Sequence, residues 1–123
     1  MTFFDFLILV WLHFLADFIL QSHTMATNKS TSNLWLSAHV LMYTIVFSII
    51  SPLYAFINGV LHFITDFTTS RITTYYYKKN NMSMFFNVIG FDQAIHLTCL
   101  AVTYHYLIAE PYQFWEVMLK MFG

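Results

Sequence analysis

The chain has 123 residues, of which 59% are hydrophobic and only 9% are charged, and its formal net charge is −1. Soluble globular proteins carry about 25% charged residues, so this composition does not provide a water-facing surface and indicates a membrane protein. The near-zero net charge excludes the basic surface that binds nucleic acid, and the length allows one integral membrane domain, residues 1–123.

Apolar segments predict an all-α, polytopic membrane protein, because a transmembrane helix needs about 20 apolar residues. The four segments cover about residues 3–20, 34–50, 53–74 and 85–109. Ser51 and Pro52 separate the second segment from the third, since proline breaks one helix and suits the first turn of the next. The segment after Pro111 is too short to span and predicts a short C-terminal interfacial helix.

Basic residues predict the orientation of these four helices. The connections 1–2 and 3–4, which lie on one side, carry four basic residues, Lys29, Arg71, Lys78 and Lys79. The opposite side carries only Lys120. Because cytoplasmic loops are enriched in lysine and arginine, we expect both connections in the cytoplasm and both termini outside.

Histidine–aspartate pairs lie inside three of the predicted spans, each with the spacing i, i+4. They are His13 and Asp17, His62 and Asp66, and Asp92 and His96. This spacing puts both side chains on one face of a helix. His39 adds a single group in the second span. Since successive spans alternate in direction, all seven residues fall in the half of the bilayer beside connections 1–2 and 3–4.

The free-energy cost of placing these seven residues inside a membrane indicates their role. An aspartate inside a membrane costs about 2.5–3.5 kcal/mol, so three unpaired ones would cost about 8–10 kcal/mol. Four histidines and three aspartates are a typical ligand set for a divalent metal, and helical bundles hold such sites. Zinc is the default ion, although iron or manganese also suits these ligands. The predicted metal ligands are His13, Asp17, His39, His62, Asp66, Asp92 and His96.

The same motifs resemble a family of small integral membrane proteins of bacteria and phages that is catalogued as a domain of unknown function. Its pattern of H-x3-DF-x-LQ, M-A-x2-K, a single His, H-F-x2-D and DQ-x2-H reads here as HFLADFILQ (13–21), MATNK (25–29), His39, HFITDFTTSR (62–71) and IGFDQAIH (89–96). The match covers about residues 12–100.

The resemblance implies four further site neighbours, which would bind substrate or support the ligands: Gln21, Lys29, Arg71 and Gln93. In the placement of its histidines and aspartates, the family is similar to membrane-bound metal-dependent hydrolases, in which these residues also lie in transmembrane helices. With the predicted topology, we expect the protein in the bacterial inner membrane, with membrane lipids as its partners.

Three functions are compatible with these residues. The first is a metal-dependent hydrolase for a lipid or another membrane-proximal substrate, in which the metal activates water and Asp17, Asp66 or Asp92 acts as the base. The second is a proton or metal-ion transporter or channel, although polar groups confined to half of the membrane give no continuous pathway. The third is a membrane protein whose polar layer only fixes the helix register. The sequence leaves the substrate and the oligomeric state open.

Overall fold

A computed structural model describes all 123 residues, which form helices joined by short turns, with no strand. The helices are α1 (Phe3–Phe14), α2 (His23–Asn28), α3 (Asn33–Phe47), α4 (Pro52–Lys78), α5 (Met82–Tyr104) and α6 (Pro111–Phe122). Two short π-helical segments, Leu15–Ile19 and His105–Ala109, continue α1 and α5. The all-α fold class is therefore confirmed.

Local capping explains where several helices begin. Pro52 occupies the first turn of α4, as the sequence predicts, and the Ser51 hydroxyl caps the N-terminus of the helix. The C-terminal helix α6 also begins at a proline, Pro111. The short helix α2 was not predicted. It lies in connection 1–2, for which the sequence analysis gives no helix, and the Ser22 hydroxyl caps it by accepting from the Met25 backbone N–H.

The prediction of four membrane-spanning helices is not confirmed. By length and apolar composition, one helix could cross a bilayer, α5 with its π-helical continuation, Met82–Ala109. Helix α3 has only 15 residues, and the 27-residue helix α4 is made less apolar by His62, Asp66 and several threonines. Only 17% of the apolar window of Met82–Ala109 is buried inside the protein, which distinguishes it from the core helix of a soluble protein.

The interior of the protein is unusually polar and its surface is unusually apolar. Ten of the 20 buried residues are polar or charged. Large apolar side chains are instead exposed along the helices, among them Phe3, Trp11, Leu34, Ile49 and Phe56. Soluble proteins show the opposite distribution, since they bury such side chains and leave charged ones in water.

Helix α4 is the central helix of the bundle. It packs along α3 on one side and along α5 on another, while α1 contacts both α3 and α5. His62 and Asp66 lie in the middle of α4 and are buried. The central position of α4 lets these two side chains meet groups from α3, from α5 and from the π-helical segment after α1.

The close approach of α3 and α4 depends on Gly59. A Cβ atom at position 59 would overlap the Thr44 hydroxyl, which donates to the Val40 carbonyl at 2.8 Å. We expect Gly59→Ala to lower the free energy of unfolding by about 1–3 kcal/mol, because overpacking forces the helices apart. SDS-induced unfolding of the purified protein in detergent micelles would measure this change.

Gly90 offers the matched control on α5. It is exposed, and a Cβ there would meet nothing within 4 Å. Gly90→Ala should be neutral or stabilise the protein by up to about 1 kcal/mol, since glycine disfavours helices. If Gly59→Ala unfolded at the same SDS concentration as Gly90→Ala, the close contact between α3 and α4 would be refuted.

Candidate metal centre

Four buried side chains from three helical segments meet at one point. Asp17 lies in the π-helical segment after α1, His39 in α3, and His62 and Asp66 in α4. Each residue is at most 3% exposed, and one ligand atom from each lies within 4.8 Å of the others. We call this set the His/Asp quartet. Short π-helical segments such as Leu15–Ile19 often occur at functional sites.

Five of the six separations between ligand atoms in the quartet are close to those around a tetrahedral ion. His39 Nε2 lies 3.0 Å from Asp17 Oδ1, 3.3 Å from Asp66 Oδ2 and 3.0 Å from His62 Nε2. His62 Nε2 lies 3.5 Å from each of the same two carboxylate oxygens. Ligands bound about 2.0–2.1 Å from a tetrahedral zinc ion are about 3.3 Å apart. The quartet could therefore hold a metal ion.

Hydrogen bonds alone do not account for this arrangement. The Nε2 atoms of His39 and His62 face each other and the same two carboxylates. A neutral imidazole nitrogen carries at most one proton, so each can donate to only one of its neighbours. A shared cation would instead make all of these contacts favourable at once.

A second group of ligand atoms shares Asp17 with the quartet. It adds Asp92 and His96, whose ligand atoms also lie within 4.8 Å of one another and of Asp17. His96 Nε2 lies 3.1 Å from Asp92 Oδ2 and 3.2 Å from Asp66 Oδ1. The Gln93 amide donates to Asp17 Oδ2 at 2.9 Å and to Asp92 Oδ2 at 3.1 Å. Asp17 and Asp66 therefore each direct one oxygen to the quartet and the other to this second group.

His62 and His96 are coupled through their other nitrogen atoms. The two rings stack with centroids 4.0 Å apart, and their Nδ1 atoms lie 3.1 Å apart. A hydrogen bond between two nitrogens needs one proton between them, so the two neutral rings are opposite tautomers. Only one of the two then has a free Nε2 lone pair. With His62 as a ligand, the His96 Nε2–H group donates to Asp66 or Asp92.

His13 lies at the edge of the cluster. Its Nε2 contacts Gln93 Oε1 at 2.6 Å and its Nδ1 contacts the Tyr43 hydroxyl at 3.1 Å. The distance from His13 Nε2 to Asp17 Oδ2 is 3.6 Å. Both ring nitrogens of His13 therefore have partners closer than Asp17. In this arrangement His13 orients the Gln93 amide and lies outside both groups of ligand atoms.

Two residues at the centre were missed by the sequence analysis. Tyr43 stacks on His62, with ring centroids 4.0 Å apart and an interplanar angle of 16°. The Thr69 hydroxyl donates to Asp92 Oδ1 at 2.5 Å. Tyr43 follows His39 at i+4, and this spacing was the available signal that it lies on the same face of its helix.

Lys29 contributes the only positive side chain at the cluster. Its ammonium group donates to Asp66 Oδ2 at 2.9 Å, and its side chain is 17% exposed. Burial lowers the pKa of Lys29, but the carboxylates of Asp66 and Asp17 outweigh this effect and raise the pKa above its usual value. With the four histidines neutral, as metal ligation requires, one ammonium group faces three carboxylates, and the excess of two negative charges is what one divalent cation would neutralise.

The remaining two predicted neighbours have different positions. Gln21 lines a cavity of about 520 Å³ beside the quartet, and its side-chain oxygen is buried without a partner. Arg71 donates to the Phe67 carbonyl at 2.7 Å and to Asn33 Oδ1 at 3.0 Å. It follows Asp66 by five residues, which is about 140° around the helix. The structure therefore brings every predicted site residue to the cluster or its cavity except Arg71.

A family model described as "Protein of unknown function (DUF3307)" matches residues 5–121. The chain belongs to the DUF3307 family. This confirms the resemblance to a family of unknown function, and the matched region contains all of the cluster residues. No curated protein and no solved structure matches the chain.

Proposed function

We propose that this protein is an integral membrane, metal-dependent hydrolase that binds one divalent ion at the His/Asp quartet. The observation that carries the proposal is that five of the six separations among two imidazole nitrogens and two carboxylate oxygens are 3.0–3.5 Å, and all four atoms lie within 4.8 Å of one another. Zinc is the first candidate ion, and iron or manganese suits the same ligands. The coupled tautomers of His62 and His96 favour one ion over two.

The distribution of polar and apolar side chains supports a membrane location. A bilayer solvates exposed apolar side chains, and ionisable groups inside it face the interior of a bundle and pair with one another. This chain exposes large apolar residues and buries its histidines and aspartates. In our proposal, α1, α3 and α4 cross the membrane together with α5, and both termini lie outside the cytoplasm.

The residues around the quartet suit hydrolysis. A divalent ion would supply Lewis acidity and lower the pKa of water to about 7. Water would need a coordination position beyond the four ligands of the quartet, as in five-coordinate zinc or six-coordinate manganese. Asp92 is the carboxylate left outside the quartet, and it lines the cavity. Thr69, Gln93 and His96 fix its orientation at 2.5, 3.1 and 3.1 Å. We assign Asp92 as the general base, whereas Asp17, also predicted to be catalytic, acts as a ligand like Asp66.

Aromatic packing disfavours the transporter alternative. On the side of the quartet away from the cavity, the interior is filled by the rings of Tyr43, Phe47 and Tyr54, which are at most 1% exposed. The Phe47 ring lies 4.8 Å from that of Tyr43 and 6.1 Å from that of Tyr54. A transporter needs a polar passage through both halves of the membrane, and these rings occupy its course.

The hydrolase proposal predicts a strong effect of Asp92→Asn. Zinc-loaded protein in phosphatidylcholine nanodiscs would be assayed with chromogenic carboxylic ester, amide and phosphate ester substrates. We expect wild-type turnover of at least one of them, lost with EDTA and restored with zinc. Asp92→Asn should lower kcat by about 10²–10⁴-fold, the usual contribution of a general base, and retain the ion.

Glu116→Gln provides the control, because Glu116 is exposed on α6 and distant in sequence from the cluster. Its activity should equal that of the wild type. Metal-loaded wild type that hydrolyses none of the three classes would refute the hydrolase. Full activity of Asp92→Asn would show that Asp92 is not the general base.

A further inference from the structure

The cavity beside the quartet has one polar wall and one apolar wall. Its polar wall is a single stripe of α4, formed by Asp66, Thr69, Ser70, Thr73, Thr74 and Tyr77. At a rise of about 1.5 Å per residue, this stripe extends about 16 Å from the quartet to the turn between α4 and α5. Phe18, Phe85 and Ile89 supply the apolar lining.

The polar wall is rich in hydrogen-bond acceptors. Ser70 is only 6% exposed, and its hydroxyl has no partner. The hydroxyls of Thr69 and Thr73 already donate to Asp92 and to the Ser70 carbonyl, which leaves their oxygen lone pairs free to accept. A buried polar group without a partner costs about 1–3 kcal/mol. A ligand hydroxyl can both donate to and accept from Ser70, and ligand donors also match the unpaired Gln21 oxygen in the same cavity, so such a ligand would recover that cost.

The charges around the cavity disfavour an anionic ligand. Its charged lining consists of Asp17, Asp66, Asp92 and Lys29, and Lys29 is already paired with Asp66 at 2.9 Å. One divalent ion would bring the net charge of this lining to zero. The nearby Arg71 is engaged by Asn33 outside the cavity. Proteins bind phosphate groups with metal ions or with free arginine or lysine side chains. The lining offers no free side chain of this kind, and its own carboxylates already balance the charge of one divalent ion.

We infer that the cavity binds an uncharged ligand rich in O–H and N–H donors, the hydroxylated amide or ester head of an amphiphile, with its apolar chain along Phe18, Phe85 and Ile89. This inference names the substrate class of the proposed hydrolase and rests on that proposal for the charge of the metal centre. The donors of the head group pair with the α4 hydroxyls, and its carbonyl faces the quartet.

Two probes with the same apolar chain test the inference. N-hexylgluconamide is uncharged and carries five hydroxyls and an amide, whereas hexyl phosphate is anionic. Isothermal titration of each into zinc-loaded protein in phosphatidylcholine nanodiscs should give a Kd for the gluconamide at least about tenfold lower. Ser70→Ala should weaken gluconamide binding by about three- to tenfold, the effect of one hydrogen bond. Ser48→Ala, at the exposed serine that directly follows α3, should change nothing.

The zinc content of the same samples separates the two proposals. If the protein holds no zinc but still prefers the gluconamide, the metal centre is refuted and the inference stands, because the cavity without an ion is more negative. If zinc-loaded protein binds hexyl phosphate equally well or better, or binds neither probe, the inference is refuted and the metal centre stands. Equal binding by Ser70→Ala and wild type would also overturn it.

Discussion

Purified wild-type protein is expected to bind one divalent ion per chain, and His39→Ala is expected to lose it. His39 Nε2 lies within 3.3 Å of three other ligand atoms in the quartet. Removing a residue that only supports a ligand costs about 10–100-fold in affinity, so removing His39 should cost more than about 100-fold. Atomic absorption would give the stoichiometry, and competition with a chromogenic zinc chelator would give the affinity.

Three variants control this experiment. His39→Gln keeps the side-chain volume and a hydrogen-bond donor. Loss of the ion from this variant as well would show that the loss in His39→Ala is not due to misfolding. His23→Ala removes an exposed histidine on α2 and should bind zinc like the wild type. His96→Ala should cost only about 10–100-fold, because in our assignment it supports His62. Two ions per chain, or full affinity in His39→Ala, would contradict the assignment.

The cluster was largely predictable because its spacing is a local property. Residues four apart share a helix face, so each His–Asp pair was already one unit of a site. Alternating helix directions then put His13, His39, His62 and His96 at the same level. The burial of all four, at 3% exposure or less, follows from that pattern.

The choice among the histidines was not predictable from spacing. It depends on which nitrogen each ring directs inward, and this is set by contacts between residues far apart in the chain. His13 meets Gln93, 80 residues later, and His62 meets His96, 34 residues later. Arg71 shows a second limit of prediction from the sequence. It lies inside a recognised motif but on another face of its helix.

The predicted membrane spans illustrate a conflict between two sequence signals. His62 and Asp66 make α4 a candidate wall of the site, and the same residues lower its hydropathy below that of a clear membrane-spanning helix. Only Met82–Ala109 retains enough apolar length despite carrying Asp92 and His96. The short helix α2 was missed because its threonines and asparagine also favour loops.

Asp66→Asn should be among the most destabilising substitutions in the metal-free protein. Its carboxylate accepts from Lys29 at 2.9 Å and lies 3.3 Å from His39 Nε2 and 3.2 Å from His96 Nε2. Removing one partner of a buried ion pair costs about 3–5 kcal/mol. We expect about 3 kcal/mol, because Lys29 keeps 17% of its side chain exposed and can regain some water. SDS titration with EDTA present would measure the free energy of unfolding.

A double-mutant cycle with Lys29→Met assigns this cost to the ion pair. Lys29→Met leaves three carboxylates without their ammonium partner and should also destabilise the metal-free protein. The double variant removes both charges, so its loss should be smaller than the two single losses added together, by about 0.5–3 kcal/mol. Additive losses, or an Asp66→Asn protein as stable as Glu116→Gln, would mean that Lys29 and Asp66 do not interact in the folded protein.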